Sequence, residues 1–141
     1  MICYFDTSAF VPLLITEPST ELCGRLWSDA DSVVTSQLSY VEAAAALAQA
    51  RRLDRISAAE HRTVLRRLDL LWTDFDVLGI NDYLVHHAAN VAFQYSLRGY
   101  DAVHCASAAA VDADDLVMAS GDRKLLDACR SLGIATADTN A

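Results

Sequence analysis

Short apolar runs separated by longer amphipathic segments are the feature that most limits the folds open to this chain. Five such runs are candidates for strands, and each is shorter than an ordinary helix. They cover residues 2–5, 32–35, 75–80, 116–119 and 134–136. Strands that alternate with helices favour a parallel sheet with right-handed crossovers and helices on both faces. The pattern therefore predicts an α/β fold with about four to five strands.

The length and composition of the chain indicate one domain, residues 1–141. Two domains of equal size would each be too small to bury a useful core, and 53% of the residues are hydrophobic. The longest segment without Asp, Glu, Lys or Arg, Tyr83 to Leu97, has 15 residues, fewer than the roughly 18 apolar residues of a membrane span. The first residues show no export pattern. We therefore expect a cytoplasmic protein without a membrane partner.

The net charge of −8 argues against a protein that coats nucleic acids or anionic membranes by bulk electrostatics. Positive charge is concentrated from Arg51 to Arg67, where six arginines and two acids give a local charge of +4 on a background of −12. This segment is a candidate surface for phosphate, although a solvated helix face explains it equally well.

The four cysteines have no CxxC spacing, so buried free thiols are expected rather than a zinc site or disulfides.

Helical periodicity and capping residues predict the main helices. Residues 37–53 and a segment that begins with a capping box at Ser57 are expected to form a helical hairpin. Asn81 is expected to cap the next helix, and Gly99 to end it. A further helix is expected to start at Asp101.

Two aspartates follow predicted strands. Asp6 comes directly after the first run and Asp122 closely after the fourth. The carboxyl ends of parallel strands share one edge of the sheet, where ligands bind, so we expect these two acids to lie near each other. Each of them could instead serve only as the N-cap of the next helix, a role worth roughly 1 kcal/mol. Asp101 has the same two interpretations.

Glu42 is the acid that is hardest to explain as a surface residue. It lies beside the apolar stripe of helix 37–53 and has no basic residue three or four positions later. Either it is exposed on the outer face, or it is buried and needs a cation. Carboxylates gathered at one sheet edge raise one another's pKa unless Mg²⁺ or Mn²⁺ neutralises them. Sites made only of carboxylates are typical of enzymes that cleave phosphodiesters with metal-activated water.

The acids and their surroundings resemble the PIN-domain ribonucleases over essentially the whole chain. The resemblance depends on four motifs in order, which are Asp6-Thr7-Ser8-Ala9, Glu42 after Ser36-Gln37-Leu38-Ser39, residues 97–108 around Asp101, and Ser120-Gly121-Asp122-Arg123-Lys124-Leu125. The nearest subgroup is the VapC-type toxins of bacterial toxin–antitoxin pairs, which are single PIN domains of this size. One departure is Gly121, which is expected to loosen the position of the following aspartate.

The resemblance implies a Mg²⁺-dependent endoribonuclease toxin, with Mn²⁺ as a plausible substitute. Its acidic pocket would consist of Asp6, Glu42, Asp101 and Asp122. Among these, Asp6 and Asp101 are expected to bind the ion directly, and Glu42 and Asp122 directly or through water. Ser120 is expected to hydrogen-bond to this set without binding the ion itself.

Substrate and partner contacts are expected beside the same pocket. Arg98, Arg123 and Lys124 flank two of the predicted ligands and are candidates for steering an RNA phosphate. The resemblance also implies a cognate VapB-type antitoxin whose C-terminal segment lies beside the helical hairpin, and a homodimer or toxin–antitoxin hetero-oligomer. His104 lies one helical turn after Asp101 and is a candidate for a substrate contact, but a partly buried structural role is the expected one. The alternatives are a PIN nuclease of RNA processing without an antitoxin, and a PIN-fold binding module without catalysis.

Overall fold

All five predicted strands are present in the computed structural model, which describes residues 1–141, and they form one parallel sheet. The strands are β1 (Ile2–Phe5), β2 (Ser32–Ser36), β3 (Phe75–Leu78), β4 (Leu116–Ser120) and β5 (Ala135–Asp138). The helices are α1 (Thr7–Phe10), α2 (Thr20–Asp29), α3 (Leu38–Arg52), α4 (Ala58–Trp72), α5 (Asp82–Tyr95), α6 (Gly99–Ala109) and α7 (Arg123–Ser131), and a 3₁₀ turn spans Val11–Leu13. The predicted α/β fold with helices on both faces is confirmed.

The strand order places β1 at the centre of the sheet and opens a crevice beside it. The order is β3-β2-β1-β4-β5, so the chain leaves β1 toward one edge and leaves β4 toward the other. At such a reversal the connections diverge beyond the carboxyl ends of the two strands, where ligands of open α/β sheets bind. Asp6 follows β1 and Asp122 follows β4, and both therefore lie at this crevice.

The alternation of side chains along β1 divides the interior into two apolar cores. Cys3 and Phe5 point to one face of the sheet, where they pack with residues of α1 to α4. Tyr4 points to the other face and packs with residues of α5, α6 and α7. The cysteines behave as expected, since all four are buried and none forms a disulfide. None of the helices combines the length and the hydrophobicity that a membrane span requires.

The hairpin prediction is confirmed, including the capping box in which the Ser57 hydroxyl accepts from the Glu60 amide. The junction of α5 and α6 differs from the prediction. Ser96, in the left-handed conformation at φ 55°, closes α5, and Gly99 is the first residue of α6 rather than the end of α5. The predicted helix start at Asp101 is therefore wrong by two residues, and Asp101 lies within the first turn.

Candidate active site

Asp6 is the most deeply buried acid of the crevice, with 4% of its surface exposed. Its Oδ1 accepts hydrogen bonds from the Ala9 amide at 3.0 Å and the Ser8 hydroxyl at 2.6 Å, and its Oδ2 accepts from the Ser120 hydroxyl at 2.6 Å. Burial raises the pKa of the Asp6 carboxyl, and these donors oppose that rise. Asp6 is thus the N-cap of α1 and also a crevice acid, so the two interpretations of this residue are compatible.

Ser8 and Ser120, here called the serine clamp, bind Asp6 to the turn that follows β4. Each hydroxyl donates to one Asp6 oxygen and accepts a backbone amide of that turn. Ser8 accepts from the Gly121 amide at 2.8 Å, and Ser120 accepts from the Asp122 amide at 3.0 Å. The clamp therefore fixes the positions of two acids relative to each other. Ser120 is fully buried, whereas Ser8 is exposed.

Gly121 does not loosen this turn, contrary to the expectation from its departure from the family pattern. Its amide is held by Ser8, and its carbonyl accepts from the Asn140 side-chain amide at 2.8 Å. A Cβ at this position would lie 3.1 Å from Asn140 Nδ2 and 3.2 Å from Thr139 Oγ1. Glycine allows this close approach of the C-terminal residues.

Glu42 points from α3 into the crevice with one carboxylate oxygen engaged. Its Oε1 accepts from the Thr7 hydroxyl and from His104 Nε2, both at 2.7 Å, while Oε2 has no partner within the chain. Burial opposes ionisation of Glu42, but the hydrogen bond and charge of His104 and the bond from Thr7 outweigh it and lower the pKa of the carboxyl. Glu42 is therefore not the freely exposed glutamate of the alternative interpretation.

His104 is more buried than expected and contacts a crevice acid. Only 2% of its surface is exposed, and its Nδ1 lies 2.8 Å from the Tyr4 hydroxyl. Burial raises the pKa of Tyr4 well above its ordinary value, so this hydroxyl stays protonated. The ring of His104 thus lies between Tyr4 and Glu42.

Arg98 is the cation that bridges the two remaining acids. Its Nε donates to Asp101 Oδ2 at 3.1 Å, and another guanidinium nitrogen lies 3.6 Å from Asp122 Oδ2. The hydrogen bond and charge of Asp101, together with the charge of Asp122, raise the pKa of Arg98. Asp122 also caps α7 by accepting from the Leu125 amide at 3.0 Å. By contrast, Asp101 caps nothing, because Arg98 occupies the N-cap position of α6.

A pocket of about 500 Å³ is lined by Glu42, Arg98, Gly99, Tyr100 and Asp101. The donors around it are carboxylate oxygens, which are the ligands that Mg²⁺ and Mn²⁺ prefer, and Arg98 already pairs with the carboxylate of Asp101. No three His, Cys, Asp or Glu side chains lie close enough together to hold a metal ion as they stand. The donor chemistry therefore fits a divalent ion, but the side chains would have to move to bind it.

The other two basic residues predicted to steer RNA do not contact the acids. Lys124 Nζ donates to the Ser96 carbonyl at 2.9 Å and ties α7 to the end of α5. Arg123 is exposed at the start of α7. Of the three predicted phosphate contacts, only Arg98 lies within the acidic pocket.

Sequence reasoning did not assign site roles to Tyr4, Thr7 or Ser8. The signal for the hydroxyls is their position directly after Asp6, because the first residues of α1 lie at the carboxyl end of β1. The signal for Tyr4 is weaker, because a tyrosine in an apolar strand suggests packing, and its contact with His104 joins residues 100 positions apart.

The strand order and the acids beyond β1 and β4 define an α/β protein with an acidic crevice at the carboxyl ends of its strands, the position at which open α/β sheets bind ligands. The family model for the PIN domain matches residues 3–131. Ribonuclease VapC49 of Mycobacterium tuberculosis (strain ATCC 25618 / H37Rv) is 38% identical over 134 residues, which cover 95% of this chain and 93% of that protein. The chain therefore belongs to the PIN domain family and is related to the VapC ribonucleases.

Solved structures share the fold at low sequence identity. FitAcB from Neisseria gonorrhoeae superposes with a TM-score of 0.74 at 18% identity, over 99% of this chain and 98% of that chain. A toxin–antitoxin complex from Klebsiella pneumoniae gives a TM-score of 0.62 at 17% identity, over 88% of this chain and 89% of that chain.

Proposed function

We propose that this protein is a Mg²⁺-dependent endoribonuclease and the toxin of a toxin–antitoxin pair, with Mn²⁺ as a substitute ion. The observation that carries the proposal is the buried Asp6 at the carboxyl end of the central strand, with Glu42, Asp101 and Asp122 around the same crevice. The relationship to proteins named ribonuclease VapC supports RNA as the substrate.

The residues of the crevice would have different roles in holding the ion and binding the substrate. Asp6, Glu42, Asp101 and Asp122 would hold the divalent ion, with Ser120 and Ser8 fixing Asp6. When bound, the ion would offset negative charge and lower the pKa of a water that attacks the phosphodiester. Arg98 is mostly exposed and would bind the phosphate that enters the pocket.

The start of the basic segment, at Arg51 and Arg52, would contribute to RNA binding only at a distance. Arg52 lies ten positions after Glu42 on α3, a rise of about 15 Å at 1.5 Å per residue. Part of its charge is also paired, since Arg51 lies 3.7 Å from Asp54 and Arg55 lies 3.5 Å from Glu17. This end of the segment would therefore contact RNA well away from the cleaved bond, whereas α4 returns toward the start of α3, where the Tyr40 hydroxyl donates to Asp69 at 2.6 Å.

A groove between the 3₁₀ turn and the hairpin supports the antitoxin as partner. Its volume is about 430 Å³, and its lining consists of Leu14, Ile15, Thr16, Arg55, Ile56, Glu60 and Val64. Four apolar side chains together with one acid and one base suit an amphipathic segment of another chain. The fold shared with a toxin–antitoxin complex is consistent with this partner.

A second groove supports the proposed homodimer. It lies where Leu38, Ile80, α5 and α6 meet, has a volume of about 340 Å³ and is lined almost entirely by apolar residues, among them Ile80, Val85 and Val103. Phe93, on the exposed side of α5, has 91% of its surface in solvent. Apolar surface of this kind is typical of a contact between protein chains.

The test of the function uses Asp6→Asn, with Asp76→Asn on the exposed strand β3 as a matched control. We expect Mg²⁺-dependent RNA cleavage and growth inhibition from the wild type and from Asp76→Asn, and neither from Asp6→Asn. Sequencing of RNA ends after brief induction would identify the target. Unchanged cleavage by Asp6→Asn would refute the assignment.

Two further results separate the alternatives. Coexpression with the product of a small upstream reading frame should suppress growth inhibition, and the absence of any suppressing neighbour would favour an RNA-processing nuclease. Titration of Mn²⁺ into the purified protein should show binding that Asp6→Asn weakens. A wild type without such binding would favour an inert binding module.

A further inference from the structure

Tyr4 and His104 form a buried pair directly behind Glu42. The Tyr4 hydroxyl lies 2.8 Å from His104 Nδ1, and His104 Nε2 lies 2.7 Å from Glu42 Oε1. Tyr4 is fully buried and His104 is 2% exposed, so water does not replace either contact. The pair joins the central strand β1 to α6, the helix that carries Asp101.

The carboxylate of Glu42 determines the direction of these hydrogen bonds. An ionised carboxylate only accepts hydrogen bonds. The proton between Glu42 Oε1 and His104 Nε2 therefore belongs to His104 Nε2. Thr7 donates to the same oxygen, which leaves Oε1 with two donors. The free oxygen of Glu42 is then Oε2, on a side chain that lines the pocket with Arg98 and Asp101.

We propose that Tyr4 and His104 are positioning residues that hold Glu42 so that Oε2 is offered to the divalent ion. The proposal rests on the metal-dependent function above. Tyr4 prevents rotation of the imidazole by engaging Nδ1, and His104 prevents rotation of the carboxylate by engaging Oε1. Partners behind a metal ligand typically change metal affinity by about 10- to 100-fold when they are removed.

Packing alone does not explain this arrangement. The Tyr4 and His104 rings meet edge to face at 5.9 Å, a contact that two apolar side chains could also make. A buried hydroxyl and imidazole lose their bonds to water, and here the imidazole is bonded to Tyr4 on one side and to Glu42 on the other. The polar atoms are therefore directed toward the acid.

The test compares two substitutions of similar size at the same position. In His104→Gln the side-chain amide can take the place of Nε2–H, whereas in His104→Asn it is one methylene too short. We expect the Kd for Mn²⁺, measured by calorimetry without RNA, to rise at least about tenfold in His104→Asn and to stay near the wild-type value in His104→Gln. Tyr4→Phe, which removes only the hydroxyl, should raise it several-fold.

Two controls keep the outcome clear. Circular dichroism and urea unfolding establish that each variant is folded, and long-range ¹H–¹⁵N NMR of the wild type should show a proton on His104 Nε2. An unprotonated Nε2, or equal Mn²⁺ affinity in folded His104→Asn and wild type, would overturn the positioning role alone. A wild type that binds no Mn²⁺ would overturn this role together with the proposed function.

Discussion

Removal of the Ser120 hydroxyl should destabilise the protein much more than removal of the Ser8 hydroxyl, although both make the same bonds. Ser120→Ala leaves Asp6 Oδ2 and the Asp122 amide without their partner in a fully buried position. A hydrogen bond to a charged group contributes about 1.5–3 kcal/mol, and one between neutral groups about 0.5–1.5 kcal/mol. We therefore expect the free energy of unfolding to fall by about 2–4 kcal/mol.

Ser8→Ala is the matched control, because water can reach the exposed Ser8 and replace its hydroxyl. We expect a loss of about 1 kcal/mol or less. The assay is urea unfolding at pH 7.5 with EDTA, followed by circular dichroism. With a slope near 2 kcal/mol/M, Ser120→Ala should lower the midpoint by about 1–2 M and Ser8→Ala by less than about 0.5 M.

The pH dependence gives a second measurement on the same variants. The Ser120 hydroxyl lowers the pKa of Asp6 by bonding to its ionised form, so its loss matters most when Asp6 is charged. The destabilisation of Ser120→Ala should therefore decrease as the pH falls. Equal midpoints for the two variants, or a Ser120→Ala midpoint equal to that of the wild type, would refute the reasoning.

Three further predictions concern other parts of the molecule. Burial raises the pKa of Asp6 in the folded protein above its ordinary value of 3.8. The metal-free protein should therefore lose stability as the pH rises from 3.8 through the pKa of Asp6 in the folded state. Unfolding of Asp6→Asn in EDTA should lack this loss. Arg98→Gln should raise the KM for RNA and reduce the slope of log KM against log salt by about 0.7, the value for one phosphate contact on a single strand. Ser57→Ala removes the α4 capping box and should cost about 0.5–2 kcal/mol in urea unfolding without changing RNA cleavage rates.

The sequence predicted those features that depend on local pattern. Apolar runs predicted all five strands, and the positions of Asp6 and Asp122 after two of them predicted which edge of the sheet carries the acids. Capping residues predicted α4 and α5 because Ser57 and Asn81 bond to amides three residues later. The start of α6 was predicted wrongly, because glycine is common after helices, whereas here Ser96 takes the left-handed conformation.

The parts of the site that the sequence did not predict are contacts between distant segments. Tyr4 meets His104 across 100 residues, and Ser120 meets Asp6 across 114. Such pairs follow from strand order and register, which place the end of β4 beside the end of β1. No local pattern indicates them, so a single sequence shows the acids but not the groups that orient them.

Under the proposed function, the position of Arg98 would connect metal binding to RNA binding. In the absence of a metal ion Arg98 pairs with Asp101 and Asp122 and offsets part of their charge, so an ion that used these acids would have to displace the guanidinium. The displaced Arg98 then becomes available to an RNA phosphate beside the pocket. By linkage, RNA that engages Arg98 should raise the affinity for the ion by the same factor. In Arg98→Gln we therefore expect Mn²⁺ to bind more tightly in the absence of RNA, and the added effect of RNA on the Mn²⁺ Kd to disappear. Calorimetry with and without a non-cleavable RNA measures both, and an unchanged RNA effect in the variant would show that Arg98 does not couple the two sites.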